Sequence, residues 1–342
     1  MSEPRVAING RATARREIGG VERVARAMAT ELPRVAPGRY ALIGPRPALA
    51  HRAGHVWEQG VLPLRARRAA LIYSPANLAP IASGRNVVVI HDAAALRHPE
   101  WYSRAYAAYQ GIVLPLLARR ARLVIAVSEF SRGELVDALG VPGERVAVVP
   151  NGVDERFSPD ADPAAALAAY GLERPYVLTV GTRISRKNLA ALDAAAASLA
   201  ADGIDLVAAG SDRSYMRTEV AGGPRSLGYV PDALLPGLYT GARALAMPSL
   251  YEGFGLPCLE AMASGTPVVA ADRGALPETC GGAALLADPQ DPQAFADALL
   301  RAVTDEPERA RLSAAGLERA QGFTWRRAAE ETDALIGGLL RE

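Results

Sequence analysis

The feature that most constrains this chain is a rhythm that runs through it twice. Short apolar runs alternate with longer helical patterns. In the first half the runs are RVAI (5–8), YALIG (40–44), ALIYS (70–74), NVVVIH (86–91), LVIAV (123–127) and RVAVVP (145–150). They are continuous, the pattern of strands buried on both faces of a parallel sheet. Helical stretches lie between them, among them 20–32, 103–120 and 129–139. The polar, acidic, Pro-containing segment DERFSPDADP (154–163) reads as a linker. The rhythm then restarts with YVLTVG (176–181), DLVAAG (205–210), RALAMPS (243–249), PVVAA (267–271) and AALLA (283–287).

Such alternation implies an α/β architecture of doubly wound parallel sheets. Two Rossmann-like domains are expected, residues 1–160 and 161–324. The last helix follows GFTW at about 325–341 with no strand after it. Residues 325–342 are therefore read as a C-terminal helix that packs on either domain, the return to the N-terminal one included. Ligands of such sheets bind outside the carboxyl ends of the strands, so the site is sought in a cleft between the domains.

The length of 342 residues fits two domains. Net charge is +1, but residues 1–160 carry 22 Lys and Arg against 14 Asp and Glu, and residues 161–342 carry 16 against 23. The basic half suits an anionic partner such as a membrane surface, or faces an acidic surface of the other half. Cys258 and Cys280 are the two cysteines and the four histidines are scattered, so no structural metal framework is expected. No G-x-G-x-x-G or G-x-x-x-x-G-K-[ST] is present, which disfavours a dinucleotide dehydrogenase and a Walker-type phosphate loop. No transmembrane run and nothing resembling a signal peptide is found, so a cytoplasmic protein is expected, peripheral at the membrane's inner face if the basic half docks there.

Two stretches carry chemistry. In VGTRISRKN (180–188), Lys187 is the chain's only lysine; the other 37 basic residues are arginine. Lysine is a compact point charge suited to a phosphate, although one stray lysine at a helix start is also an accident of composition. In YEGFGLPCLEAMASGTPVV (251–269), Gly253 and Gly255 make a turn, Pro257 starts a helix and Gly265 ends it. The free N–H groups and positive dipole end near Leu256 form an anion site. Glu252 precedes the turn and Glu260 lies inside the helix. Carboxylates beside an anion site suit sugar hydroxyls, one on a transferred sugar and one on a ribose; the plainer reading is a dipole-serving glutamate and an exposed turn glutamate.

This last stretch resembles the E-x7-E signature of retaining glycosyltransferase family 4, and the resemblance covers nearly the whole chain. GGVERV (19–24), VIHDAAALRHPEWYS (89–103), VSEFSRGEL (127–135), VVPNGVDERFSP (148–159) and the GYV-to-GFGLP segment match as well. The HD segment and PYVLTVGTRISRKNL look most similar to bacterial mannosyltransferases of surface-polysaccharide assembly. The resemblance implies a GT-B fold. It implies that Arg183 and Lys187 contact the donor diphosphate in place of a metal, and that Glu252 binds the donor sugar with backbone N–H groups of Phe254, Gly255 and Leu256. Glu260 then binds the ribose, Tyr229 and Val230 frame the base, and Gly19 and Gly20 admit the phosphates. His91, at a strand end, contacts the transferred sugar. Asp92 orients it or binds acceptor hydroxyls.

The function expected is metal-independent, cofactor-free, retaining transfer of a hexose, mannose from GDP-mannose foremost, to a glycan or lipid-linked acceptor. A UDP- or dTDP-sugar donor, used in natural-product decoration, is the alternative within the class. A non-catalytic sugar-nucleotide-binding protein is the alternative outside it. No nucleic-acid partner is expected.

Overall fold

The computed structural model describes residues 5–15, 17–46, 53–210 and 223–342. They form two compact units. The first takes in the chain up to Arg97, Ala105–Gly152 and Thr324–Glu342; the second takes in His98–Arg104 and Val153–Phe323.

In the first unit the strands are β1 (Val6–Asn9), β2 (Tyr40–Ile43), β3 (Leu71–Ser74), β4 (Asn86–Val89), β5 (Leu123–Ala126) and β6 (Val146–Val148). They pair in the order β2-β1-β3-β4-β5-β6, all parallel. β1, β3, β4 and β5 are buried along their whole length, so nothing in their sequences alternates. Helices α1 (Gly20–Val35), α2 (Arg104–Arg120) and α3 (Glu129–Leu139) connect them. Val24, Met28 and Leu32 recur every fourth residue on the buried side of α1. α3 starts where Ser128 Oγ accepts from the Ser131 N–H (3.0 Å) and stops at left-handed Gly140. The order reverses between β1 and β3, which marks that sheet's switch point.

The second unit repeats the plan with β7 (Tyr176–Val180), β8 (Asp205–Ala209), β9 (Arg225–Gly228), β10 (Ala244–Met247), β11 (Val268–Ala271) and β12 (Leu285–Ala287). The order is β12-β11-β10-β7-β8-β9, again all parallel, with the reversal between β7 and β10. Its helices are α4 (Ala164–Tyr170), α5 (Asp193–Ala201), α6 (Leu235–Thr240), α7 (Leu256–Ala263), α8 (Leu276–Cys280), α9 (Pro292–Thr304) and α10 (Glu306–Gln321). β9 is the strand no apolar run announces: it lies at the sheet edge, where Arg225 and Ser226 are exposed. The segment read as a linker is held down. Phe157 is buried edge-on against Tyr239 (5.6 Å) and Arg156 pairs with Asp232 at 2.6 Å, so the second unit starts at Val153 and not after residue 160.

The last helix, α11 (Trp325–Leu339), belongs to the first unit. It buries Trp325, Ala328, Ala329, Thr332 and Ile336. Asp333 Oδ1 accepts from both Arg39 and Tyr40 (2.6 Å each), and Arg5 donates to the Leu340 carbonyl. The chain enters this packing at Gly152, where a Cβ would overlap the Trp325 nitrogen. Ile336 is fully buried, and its truncation to alanine is expected to cost about 2–5 kcal/mol. Hydrogen exchange checks this: Ile336→Ala speeds exchange in β1–β5 and leaves β7–β11 unchanged. Equal effects on both sets would show that α11 is not part of the first unit's core.

Candidate active site

The second unit places most of the candidate residues at the β7/β10 switch point. β7 runs into Gly181, whose φ of +149° lies in the region open to glycine. A Cβ there would stand 2.8 Å from Lys187 Cε, and a Cβ on Gly210, after β8, would overlap the Gly181 carbonyl oxygen. The two strand ends are thus pressed together, and the Lys187 side chain folds back over them. After the helical turn Ser185–Lys187, left-handed Asn188 donates to the carbonyls of Pro248 (3.2 Å) and Pro289 (2.9 Å). Leu250 N–H donates to the Arg186 carbonyl and Arg186 Nη1 to the Tyr251 carbonyl, both at 2.8 Å. The loop after β7 therefore fixes the loop that follows β10.

That second loop carries Glu252. Its Oε1 lies 2.7 Å from Lys187 Nζ and its Oε2 lies 3.4 Å from Arg186 Nη1, with all three side chains largely buried. Burial alone would raise the Glu252 pKa; the Lys187 and Arg186 charges outweigh it and hold the carboxylate below its ordinary range. Burial depresses the Lys187 pKa, and Glu252 opposes that only partly. The Glu252 backbone is fixed from beneath, since its carbonyl accepts from the Ala275 N–H (3.0 Å) and a Cβ on Gly274 would meet its nitrogen at 2.9 Å.

Phe254, Gly255 and Leu256 are buried and lead into α7. Gly255 caps it at φ +102° with no side-chain cap; Pro257 has no N–H to satisfy and the Cys258 N–H donates to the Gly255 carbonyl at 2.9 Å. Glu260 lies one turn inside α7. It is 1% exposed and its Oε2 accepts from the buried Tyr239 hydroxyl at 2.8 Å. Tyr229, partly exposed, and buried Val230 follow β9, on the β8 side of the switch point.

Arg183 stands four residues before Lys187 and is partly exposed. The guanidinium beside Glu252 is that of Arg186. Sequence reading missed Arg186, although it adjoins Lys187.

In the first unit, His91 follows β4 and is 9% exposed. Its Nε2 is 2.9 Å from the Pro75 carbonyl. A carbonyl only accepts, so Nε2 carries the proton and Nδ1 of the neutral ring is an acceptor. Burial lowers the His91 pKa, against smaller opposing effects from Pro75, Asp92 and Glu22. Asp92 Oδ1 accepts from the Ala94 N–H (3.0 Å). Gly19 caps α1, and its N–H donates to Glu22 Oε2 at 3.1 Å. A polar cluster at the β1/β3 switch point was also missed: fully buried Glu58 accepts from Asn9 (2.7 Å) and Arg11 (2.9 Å), and Asn9 also reaches Ser74. Its members are scattered along the chain and no spacing links them.

Asp160 and Asp162 have the spacing of an Asp-x-Asp cation motif. Asp162 Oδ1 accepts from the Ala164 N–H at 2.9 Å. Among the described residues no group of three or more His, Cys, Asp or Glu is placed to hold a metal ion.

Comparison with known proteins agrees with this plan. The pattern of Glycosyltransferase Family 4 matches residues 18–157, and that of Glycosyl transferases group 1 matches residues 174–305. The chain is 34% identical over 262 residues to the O-antigen chain mannosyltransferase B of Escherichia coli, covering 72% of this chain and 69% of that protein. It is 36% identical over 239 residues to a D-inositol 3-phosphate glycosyltransferase of Frankia alni, covering 61% of this chain and 57% of that protein. Among solved structures, sucrose-phosphate synthase from Thermosynechococcus elongatus superposes with a TM-score of 0.78 at 21% identity, covering 99% of this chain and 100% of that one. WaaG, a glycosyltransferase involved in lipopolysaccharide biosynthesis, gives 0.70 at 16% identity, covering 97% and 100%. The shared fold is GT-B, and the chain belongs to glycosyltransferase family 4.

Proposed function

We propose that the chain is a retaining hexosyltransferase that moves mannose from GDP-mannose to a glycan or lipid-linked acceptor without a divalent metal. The observation that carries this reading is the Lys187–Glu252 pair (2.7 Å) set beside the N-terminus of α7, which has no side-chain cap, at one switch point. Similarity to proteins named as mannosyltransferases supports the choice of sugar.

When the bond between C1 of the sugar and the β-phosphate oxygen breaks, negative charge gathers on the departing diphosphate. Lys187, Arg183 and the α7 N–H groups stabilise that charge more in the transition state than before it. Glu252 is freed from part of its ion pairing and takes hydroxyls of the transferred sugar. Glu260, held by Tyr239, takes the ribose; Tyr229 and Val230 frame the base. On the first unit, Gly19 and Gly20 admit the phosphates, His91 Nδ1 accepts from a hydroxyl of the transferred sugar, and Asp92 serves the acceptor. No side chain is assigned as a covalent nucleophile. The acceptor oxygen attacks C1 on the face the diphosphate leaves, and its proton passes to a departing phosphate oxygen. Bonds and charge then balance with retention.

The first test is donor binding and hydrolysis with GDP-, UDP- and dTDP-sugars in the presence of a chelator. GDP-mannose is expected to be preferred. Lys187→Ala is expected to lose about 10²–10³-fold in turnover, the size of one lost oxyanion donor. Preference for a UDP- or dTDP-sugar replaces the mannose reading, binding without any turnover means a non-catalytic binder, and an undiminished mutant undercuts the site.

Glu252→Gln removes the charge that supports the Lys187 ammonium. Diphosphate binding needs that ammonium. As pH is raised, binding is expected to fade earlier in the variant than in the wild type. Superimposable pH profiles would separate Lys187 from diphosphate binding.

His91 has a lowered pKa when folded, so below about 6.5 the unfolded chain takes up a proton that the folded chain refuses. Thermal stability is expected to start falling as pH drops through that value. His91→Gln is expected to flatten this limb and leave the loss below about 4.5, where buried carboxylates protonate. An unchanged limb would place the titration elsewhere.

A further inference from the structure

The first unit carries one exposed surface that the donor site does not use. Tyr109, Ile112 and Leu116 are exposed and recur at i, i+3 and i+7, so they share one face of α2. The helical segment 54–65 exposes Val56 (74%), Val61 and Leu64 (68%). The two helices meet, with the His55 and Tyr109 rings 6.3 Å apart and edge-on. Large aliphatic side chains are thus presented to solvent by adjacent helices of a unit that has its own filled core.

The charged residues that close these two helical segments have one sign, and beyond them Arg122 pairs with Glu342 at 2.8 Å. Arg65, Arg67 and Arg68 close one helical segment and Arg119 and Arg120 close the other, all exposed. The hydrogen bonds of Arg65 and Arg120 go to the carbonyls of Gly44 and Ile81. Residues 59–91 and 101–128 contain no Asp or Glu at all. Glu58, which precedes the first of these segments, is fully buried and answered by Arg11 and Asn9. In a chain whose net charge is +1, this surface is therefore apolar with a cationic rim.

We infer that this face docks on the surface of an anionic lipid bilayer, with Ile112, Leu116, Val56 and Leu64 entering the interface and the arginines meeting headgroup phosphates. Apolar side chains give affinity by leaving water, and basic ones by the surface potential, about 1 kcal/mol each. No helix among the described residues is long and apolar enough to cross a membrane, so the mode is contact with one leaflet. A second copy of the chain is the poorer occupant. Two-fold pairing sets each patch against itself and brings arginines against arginines. This inference extends the lipid-linked acceptor of the preceding section, but it does not depend on the donor.

The test is flotation of the full chain, with no donor added, on vesicles of phosphatidylcholine alone or with about 30% phosphatidylglycerol. Binding is expected only to the anionic vesicles, with release at about 0.5 M salt. Ile112→Glu is expected to abolish it. Arg119→Gln with Arg120→Gln is expected to weaken it about 30-fold, two charges at about 1 kcal/mol each. Donor hydrolysis at wild-type rate shows that both variants are folded, so failure to bind is not confused with failure of the donor site. No binding to anionic vesicles, or equal binding by the variants, overturns the proposal. So does a concentration-dependent dimer that Ile112→Glu dissolves, which assigns the face to a second copy.

Discussion

A lysine and a glutamate that are both nearly buried hold the second unit's site together. Burying either charge alone is costly, and removing one partner leaves the other uncompensated. The Lys187–Glu252 contact, with Arg186 as a second cation, therefore obliges the loops after β7 and β10 to close on each other. The rest of the local structure serves that closure. Glycines at 181 and 210 let the strand ends approach, Asn188 crosses between the loops, and residues 274 and 275 fix the glutamate backbone.

The pair also sets the terms on which an anion enters. The lysine's charge is answered by the glutamate, and the glutamate's acceptors are answered by the two cations. On the reading proposed above, an arriving diphosphate would compete for the lysine and leave the carboxylate turned toward sugar hydroxyls. On that reading, donor binding is an exchange of partners among groups already desolvated, so little reorganisation of solvent is needed when charge develops. Tyr239 plays a quieter part, holding Glu260 in place with a hydrogen bond from its hydroxyl.

Most of the fold was legible because buried parallel strands write themselves as unbroken apolar runs. The runs VVVI (87–90) and YVLTV (176–180) could be little else once polar, Gly and Pro residues bounded them, and the start of α7 was announced by Gly255 and Pro257. β9 was not legible, because an edge strand with two exposed residues has no apolar signature. The break between the units was displaced because Phe157, one aromatic in a polar segment, is buried. At the candidate site, the burial of Glu252 and Lys187 against each other joins two stretches that the sequence had singled out separately. Arg186 was not legible, since its role depends on which side of a helical turn it falls, and neither was the Asn9–Arg11–Glu58 cluster, which exists only after the sheet has formed. The chain's return at Gly152 to meet α11 left only an ordinary Asn-Gly in the sequence.

The stack formed by Gly210, Gly181 and Lys187 has a consequence for how such a chain diversifies. A side chain at 210 moves the carbonyl at 181, and a side chain at 181 evicts the lysine stem. Residues larger than glycine at 181 and 210 therefore disturb the backbone and the lysine above it together. A change in what the protein handles is then easier to build on loops with room to spare than on the backbone beneath the cation.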